Sequence, residues 1–182
     1  GAGAPATGKR EEPVKPSPPR PAGPEERVPL RGLRRRIAEN MRRSLDTAAH
    51  FTFVAECDMS AVSDHLRATR ERAQQAGVPL TYLAYVIKAL VEPLRQFPLL
   101  NASLDDQAHE IVLKRYYHVG IATATPEGLT VPVVRDIDRR PLLGIAAEIR
   151  RLAEGARAGT LKLEELQGGT FTVTSTGARG GL

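Results

Sequence analysis

Apolar residues recur at Leu33, Ile37, Met41 and Leu45, one every four positions. That spacing draws one narrow stripe along a helix and predicts helical structure over 31–48. The period then changes. Phe51, Phe53, Ala55 and Cys57 alternate with Thr52, Val54 and Glu56, which predicts a strand over 51–57 with Cys57 as a small buried thiol. Asp58 or Ser60 opens a second helix over 60–76, which Gly77 stops. A third helix is predicted over 81–96. Its apolar positions Leu83, Val86, Ile87, Leu90, Val91 and Leu94 form a wide face, so it is expected to lie deep, with Pro93 kinking its last turn.

The next stretch reads as strands over 101–104, 110–113 and 116–125, with a turn at Asp105-Asp106. Pro126-Glu127-Gly128 turns the chain into a strand over 129–135. Pro141 opens an amphipathic helix that runs to Ala158 and is closed by Gly159. A short helical piece over 162–166 precedes Gly168-Gly169 and a last alternating strand over 170–176. No internal repeat is evident. Helices and hairpin-like strands are interleaved, which predicts an α/β fold: a two-layer sandwich with a mixed sheet, not a doubly wound parallel one.

Composition adds the boundaries. Residues 1–26 hold seven of the fourteen prolines, and Val14 is their only large aliphatic side chain. Such a segment cannot bury enough apolar surface to offset chain entropy, so 1–26 reads as a Pro/Ala-rich flexible linker and 27–182 as the folded part. At 182 residues with 4% aromatics and no Trp, the chain supports one domain with an aliphatic core. One cysteine and four scattered histidines exclude a disulfide framework and argue against a Cys/His metal site. No apolar run suits a membrane span, and a reducing, cytoplasmic setting fits. The net charge of +5 sits in 27–50, where seven Arg face Glu39 and Asp46. Aromatic or glycine interleaving, the usual companion of nucleic-acid binding, is absent there, which leaves a solvated helix face or an acidic protein partner.

Several blocks converge on one family. Residues 29–41 (PLRGLRRRIAENM), 49–52 (AHFT), 97–104 (FPLLNASL), 118–122 (HVGIA), 125–133 (TPEGLTVPV) and 168–173 (GGTFTV) resemble, in the same order, the catalytic domain of 2-oxo acid dehydrogenase E2 subunits, the dihydrolipoamide acyltransferases. The resemblance covers about 27–182, and a Pro-rich tether is similar to those joining E2 domains. It implies a chloramphenicol-acetyltransferase-like sandwich, trimer-based homo-oligomers, and transfer of an acyl group from dihydrolipoamide to coenzyme A. The lipoyl group would ride on a domain absent from this chain. The E1 and E3 enzymes of the complex would likewise bind through domains absent here.

The resemblance also assigns residues. Thr174 falls where relatives carry a hydroxyl that donates to the tetrahedral oxyanion, against the plainer reading of an ordinary strand threonine. Ser175 beside it is a candidate coenzyme A contact. Arg67 matches an arginine for the coenzyme A phosphates, a task that suits a guanidinium fork, although arginines on that helix also suit solvent. Thr81, at a predicted helix start, is a third candidate coenzyme A contact or a plain cap. Ala124 departs from the acidic residue of several relatives. His50 and His118 read as structural, and Glu39 as a helix partner of nearby arginines.

The family draws its general base from a His-x-x-x-Asp-Gly motif. None of His50, His65, His109 and His118 is followed by it. The sequence therefore reads as a C-terminally incomplete sandwich, inactive alone, with an open sheet edge covered by self-association. Two other readings stand beside the acyltransferase: a non-catalytic E2-like assembly protein, and a stand-alone acetyltransferase of the antibiotic-modifying class, for which a tether has no use. The acyl group reads as branched-chain or acetyl.

Overall fold

The computed structural model describes residues 23–26 and 28–177, apart from the Leu33 side chain. Most of the predicted linker and the last five residues lie outside the described residues. Five helices and seven strands follow in order: α1 (Gly32–Thr47), α2 (Ser60–Gln75), α3 (Tyr82–Ala89), α4 (Val91–Gln96), β1 (Ala102–Asp105), β2 (Glu110–Leu113), β3 (Val119–Ile121), β4 (Thr123–Thr125), β5 (Gly128–Thr130), β6 (Val133–Val134), α5 (Leu142–Ala158) and β7 (Phe171–Val173).

The expected mixed sheet is present and small. β3 lies between β6, antiparallel to it, and β7, parallel to it. β1–β2 and β4–β5 form separate hairpins. Helices α3 and α5 pack together and cover one face of the central sheet. Ile87, Ile145, Val119 and Val134 are fully buried there. Each such side chain gains about 1.5–3 kcal/mol from leaving water. Gly120 must be glycine, because a Cβ there would stand 2.7 Å from Val131 Cγ1. Gly159 ends α5 in the left-handed region at φ 66, as the sequence predicts.

Five expectations are corrected. The alternating stretch 51–57 forms no strand, and Phe51 and Phe53 are 90% and 83% exposed. Alternation fits a pleated ladder, but a strand also needs a partner, and none among the described residues lies beside this one. Cys57 is therefore exposed rather than buried. The third helix breaks at Leu90 into α3 and α4, because Pro93 has no N–H to give the Ala89 carbonyl. The run over 116–125 splits at Ala122, where the chain passes from the central sheet to the β4–β5 hairpin. Its partner run over 129–135 splits at Pro132. That residue accepts the Ile121 N–H at 2.8 Å but has none to return.

Candidate functional site

The exit of β7 carries the first candidate. Parallel pairing sets Val119 opposite Phe171 and Ile121 opposite Val173, and the Ala122 N–H extends the ladder to the Val173 carbonyl at 3.0 Å. Phe171 and Val173 pack on the core. Strand alternation turns Thr172 to the opposite face, and Thr174 is exposed. The predicted strand over 170–176 ends at Val173, so Thr174 sits one residue beyond β7 rather than within it. Thr174 is thus exposed at the exit of a strand that is seated on the core. Ser175, next along, accepts the Gly177 N–H on Oγ at 3.3 Å.

Arg67 and Thr81 belong to another part of the fold. Arg67 lies on the exposed side of α2 and donates from Nη2 to Asp64 Oδ1 at 2.6 Å. Thr81 is the residue before α3. Its carbonyl accepts the Ala84 N–H at 3.1 Å, and its hydroxyl makes no capping bond. Helices α2 and α3 pack together. Two cavities flank α2. One of about 520 Å³ lies between Leu66, Arg70, the turn at 77–80 and Arg150 of α5. The other, about 380 Å³, is lined by His65, Thr69, Arg72, Leu80 and residues 141–143. Leu80 lines both, while Arg67 and Thr81 line neither. Among the described residues no hydrogen bond or ion pair joins this pair to Thr174 and Ser175.

The histidines are engaged elsewhere. His65 Nδ1 meets the Tyr85 hydroxyl at 2.7 Å, and His50 Nε2 meets Ser44 Oγ at 3.2 Å. His109 occupies the β1–β2 turn at φ 55. His118 precedes β3, whereas Thr174 follows β7. With β3 and β7 parallel, the two stand at opposite ends of the pair, about 13 Å apart at the usual strand rise. Among the described residues no hydrogen bond joins any of these four to Thr174.

Sequence reasoning missed several polar anchors. Lys88, the one charge among the apolar residues of α3, donates to the carbonyls of Ile137, Asp138 and Arg140 at 3.4, 3.5 and 2.8 Å. A lone cation within an apolar run was the available signal. Arg135 reaches the carbonyls of Glu164 and Gln167, which seats the segment ahead of β7. Buried Asn101 donates from Nδ2 to the carbonyls of Lys114 and Tyr116 at 2.9 and 3.0 Å. Arg151 bridges Glu148 and Glu165 at 2.8 and 2.7 Å. Its hydrogen bond holds the Glu148 carboxyl below the usual carboxylate range, and Glu165 is lowered first by the Lys162 N–H and then by Arg151. Glu39 pairs with Arg35 at 2.7 Å, as predicted. Among the described residues no cluster could hold a metal ion, and no helix is long and apolar enough to cross a membrane.

Comparison with known proteins sets this geometry in a family. Residues 22–182 match the profile of the 2-oxoacid dehydrogenases acyltransferase (catalytic domain). The dihydrolipoyllysine-residue acetyltransferase component of the Bacillus subtilis pyruvate dehydrogenase complex is 42% identical over 165 residues. That match covers 90% of this chain and 37% of the relative, so the chain spans about a third of its length. The fold superposes on Azotobacter vinelandii dihydrolipoamide acetyltransferase with a TM-score of 0.86 and 37% identity, covering 93% of this chain and 71% of that one. A serine, a histidine and an asparagine were studied there for roles in catalysis. The cubic core of a pyruvate dehydrogenase multienzyme complex gives the same score, identity and coverage. The chain therefore belongs to the 2-oxoacid dehydrogenase acyltransferase family, within its catalytic domain.

Proposed function

We propose that residues 27–182 form the N-terminal portion of an E2 catalytic domain. In the complete protein this domain transfers an acyl group, acetyl by the names of the relatives, from dihydrolipoamide to coenzyme A. The observation that carries this reading is the exposed position of Thr174, one residue beyond a strand whose Phe171 and Val173 pack on the core. When the coenzyme A thiolate attacks the thioester carbonyl, the carbonyl oxygen gains negative charge. A hydroxyl already aimed at that position stabilises the transition state more than the ground state. Collapse of the adduct releases the dihydrolipoamide thiolate. The thiol must first lose its proton, and none of this chain's four histidines opens a His-x-x-x-Asp-Gly motif, so these 182 residues alone are expected to be inactive.

Arg67, Thr81 and Ser175 are the proposed coenzyme A contacts. A guanidinium and two hydroxyls fit phosphate and amide chemistry. Arg67 would exchange its Asp64 partner for a phosphate. The lipoyl group would be carried on another domain of the complete protein and deliver its acyl group here, while the E1 and E3 enzymes would bind through other domains. The chain would assemble with copies of itself into a trimer-based core, in the cytoplasm, without nucleic acid or membrane. The reading of a non-catalytic assembly protein keeps one point in its favour: no hydrogen bond among the described residues joins a histidine to Thr174.

The test is acyl transfer by the complete natural protein. Thr174→Ala should lower kcat about 10²–10³-fold with little change in KM for coenzyme A, and Thr174→Ser should keep most of the rate. An unchanged kcat in Thr174→Ala would exclude the oxyanion role. An inactive complete wild-type protein would favour the assembly reading.

A further inference from the structure

One histidine, through its backbone and its side chain, links all three strands of the central sheet at one corner. The His118 carbonyl accepts the Thr170 N–H at 2.7 Å and the Thr170 hydroxyl at 3.2 Å, which sets the start of β7 beside β3. The His118 side chain reaches the other neighbour: Nδ1 accepts the Asp136 N–H at 3.1 Å, just beyond β6. Asp136 has φ 53, a left-handed conformation that a non-glycine residue adopts only with support. The ladder explains why. Val119 stands opposite Val134, and the next backbone bond runs from the Ile137 N–H to the Tyr117 carbonyl at 3.1 Å. Three steps along one strand match two along the other, so the chain carries a bulge at this corner. The amide of the extra residue has no place in the ladder, and His118 provides its acceptor.

We propose that His118 is a pH-sensitive latch on this bulge. In its neutral form Nδ1 holds the Asp136 amide; when Nδ1 takes a proton it becomes a donor and releases that amide. The Asp136 carboxylate waits 3.8 Å from Nδ1 and the imidazole is only 12% exposed, so the protonated ring exchanges amide for carboxylate without leaving the corner. From the segment before β3, the Tyr116 ring faces the imidazole at 4.9 Å. From the residue ahead of β7 comes the neutral Thr170 hydroxyl, on the backbone side. The neighbouring cation Arg135 is turned away to the carbonyls of Glu164 and Gln167.

The release stays local. Lys88 holds the carbonyls of Ile137, Asp138 and Arg140, and Arg95 holds the Asp138 carboxylate at 3.3 Å, so the loop beyond the bulge keeps its place. Through its backbone His118 also anchors Thr170, ahead of the strand that leads to Thr174, and these bonds do not involve the imidazole. His118 is a positioning residue here and touches no reacting atom.

The test is residue-resolved NMR of the full chain between about pH 8 and about pH 5, the window in which imidazole charges. The readouts are the His118 titration and the exchange protection of the Asp136 amide. In the wild type, protection should fall about tenfold as His118 gains its proton, the loss expected for one hydrogen bond. In His118→Asn, whose side-chain oxygen accepts at every pH, protection should stay level. A level wild-type profile would overturn the latch, and so would an equal fall in His118→Asn.

Discussion

Helices α1 and α5 carry comparable amphipathic patterns over 16 and 17 residues and fare differently. Helix α5 buries Ile145, Ala146, Leu152 and Ala156 against α3 and the central sheet. In α1, Met41 and Leu45 stay 63% and 69% exposed, and Ile37 is only half-buried. The arm continues outward through Phe51 and Phe53. A stripe of the right period specifies a helix, while burial depends on whether another surface is there to receive it. In this chain the body from Val78 to Val173 has such surfaces, and the arm from Val28 to Asp58 leaves its own apolar residues facing water.

The largest expected effect lies in the body. Ile145→Ala should cost about 2–5 kcal/mol in urea unfolding, because a fully buried side chain leaves a cavity behind. Next comes Gly120→Ala. With the new methyl 2.7 Å from Val131 Cγ1, overpacking should cost about 1–3 kcal/mol in the same assay. Smaller is Glu148→Gln, at no more than about 1 kcal/mol near neutral pH, because Arg151 holds this partly exposed carboxylate below its ordinary range. A lowered carboxyl stabilises above its unfolded value and loses that contribution as pH falls through the folded one. The gap between Glu148→Gln and wild type should therefore close on acidification, which urea midpoints at several pH values would show. The smallest effect belongs to the arm: Leu45→Ala should change the stability of the dilute chain by no more than about 0.5 kcal/mol. A loss in Leu45→Ala as large as in Ile145→Ala would erase the contrast between the regions.

Much of the body was legible because its signals are local. Gly77 and Gly159 stop helices where predicted, Pro126-Glu127-Gly128 turns the β4–β5 hairpin, and the wide apolar face over 83–94 marks the elements that go deepest. What escaped depends on partners distant in sequence. Alternation cannot say that one run serves two sheets, as at Ala122, or that a strand-like run has no neighbour, as at 51–57. The candidate site divides in the same way. Thr174 was placed by the block that precedes it, yet it lies beyond β7 rather than within it. Arg67 was placed by resemblance, and only the fold shows that Asp64 already holds it. The clamp at Lys88 and the bulge at Asp136 join residues 49 and 18 positions apart, a distance that no local pattern spans.

Native-state hydrogen exchange, read residue by residue across a range of chain concentrations, tests this contrast most directly. The amides of α3, β3 and α5 should show the highest protection at every concentration. Those of α1 and 51–57 should exchange close to unfolded rates in dilute solution and gain protection only as copies meet. Equal protection of α1 and α5 in the dilute chain would contradict the account.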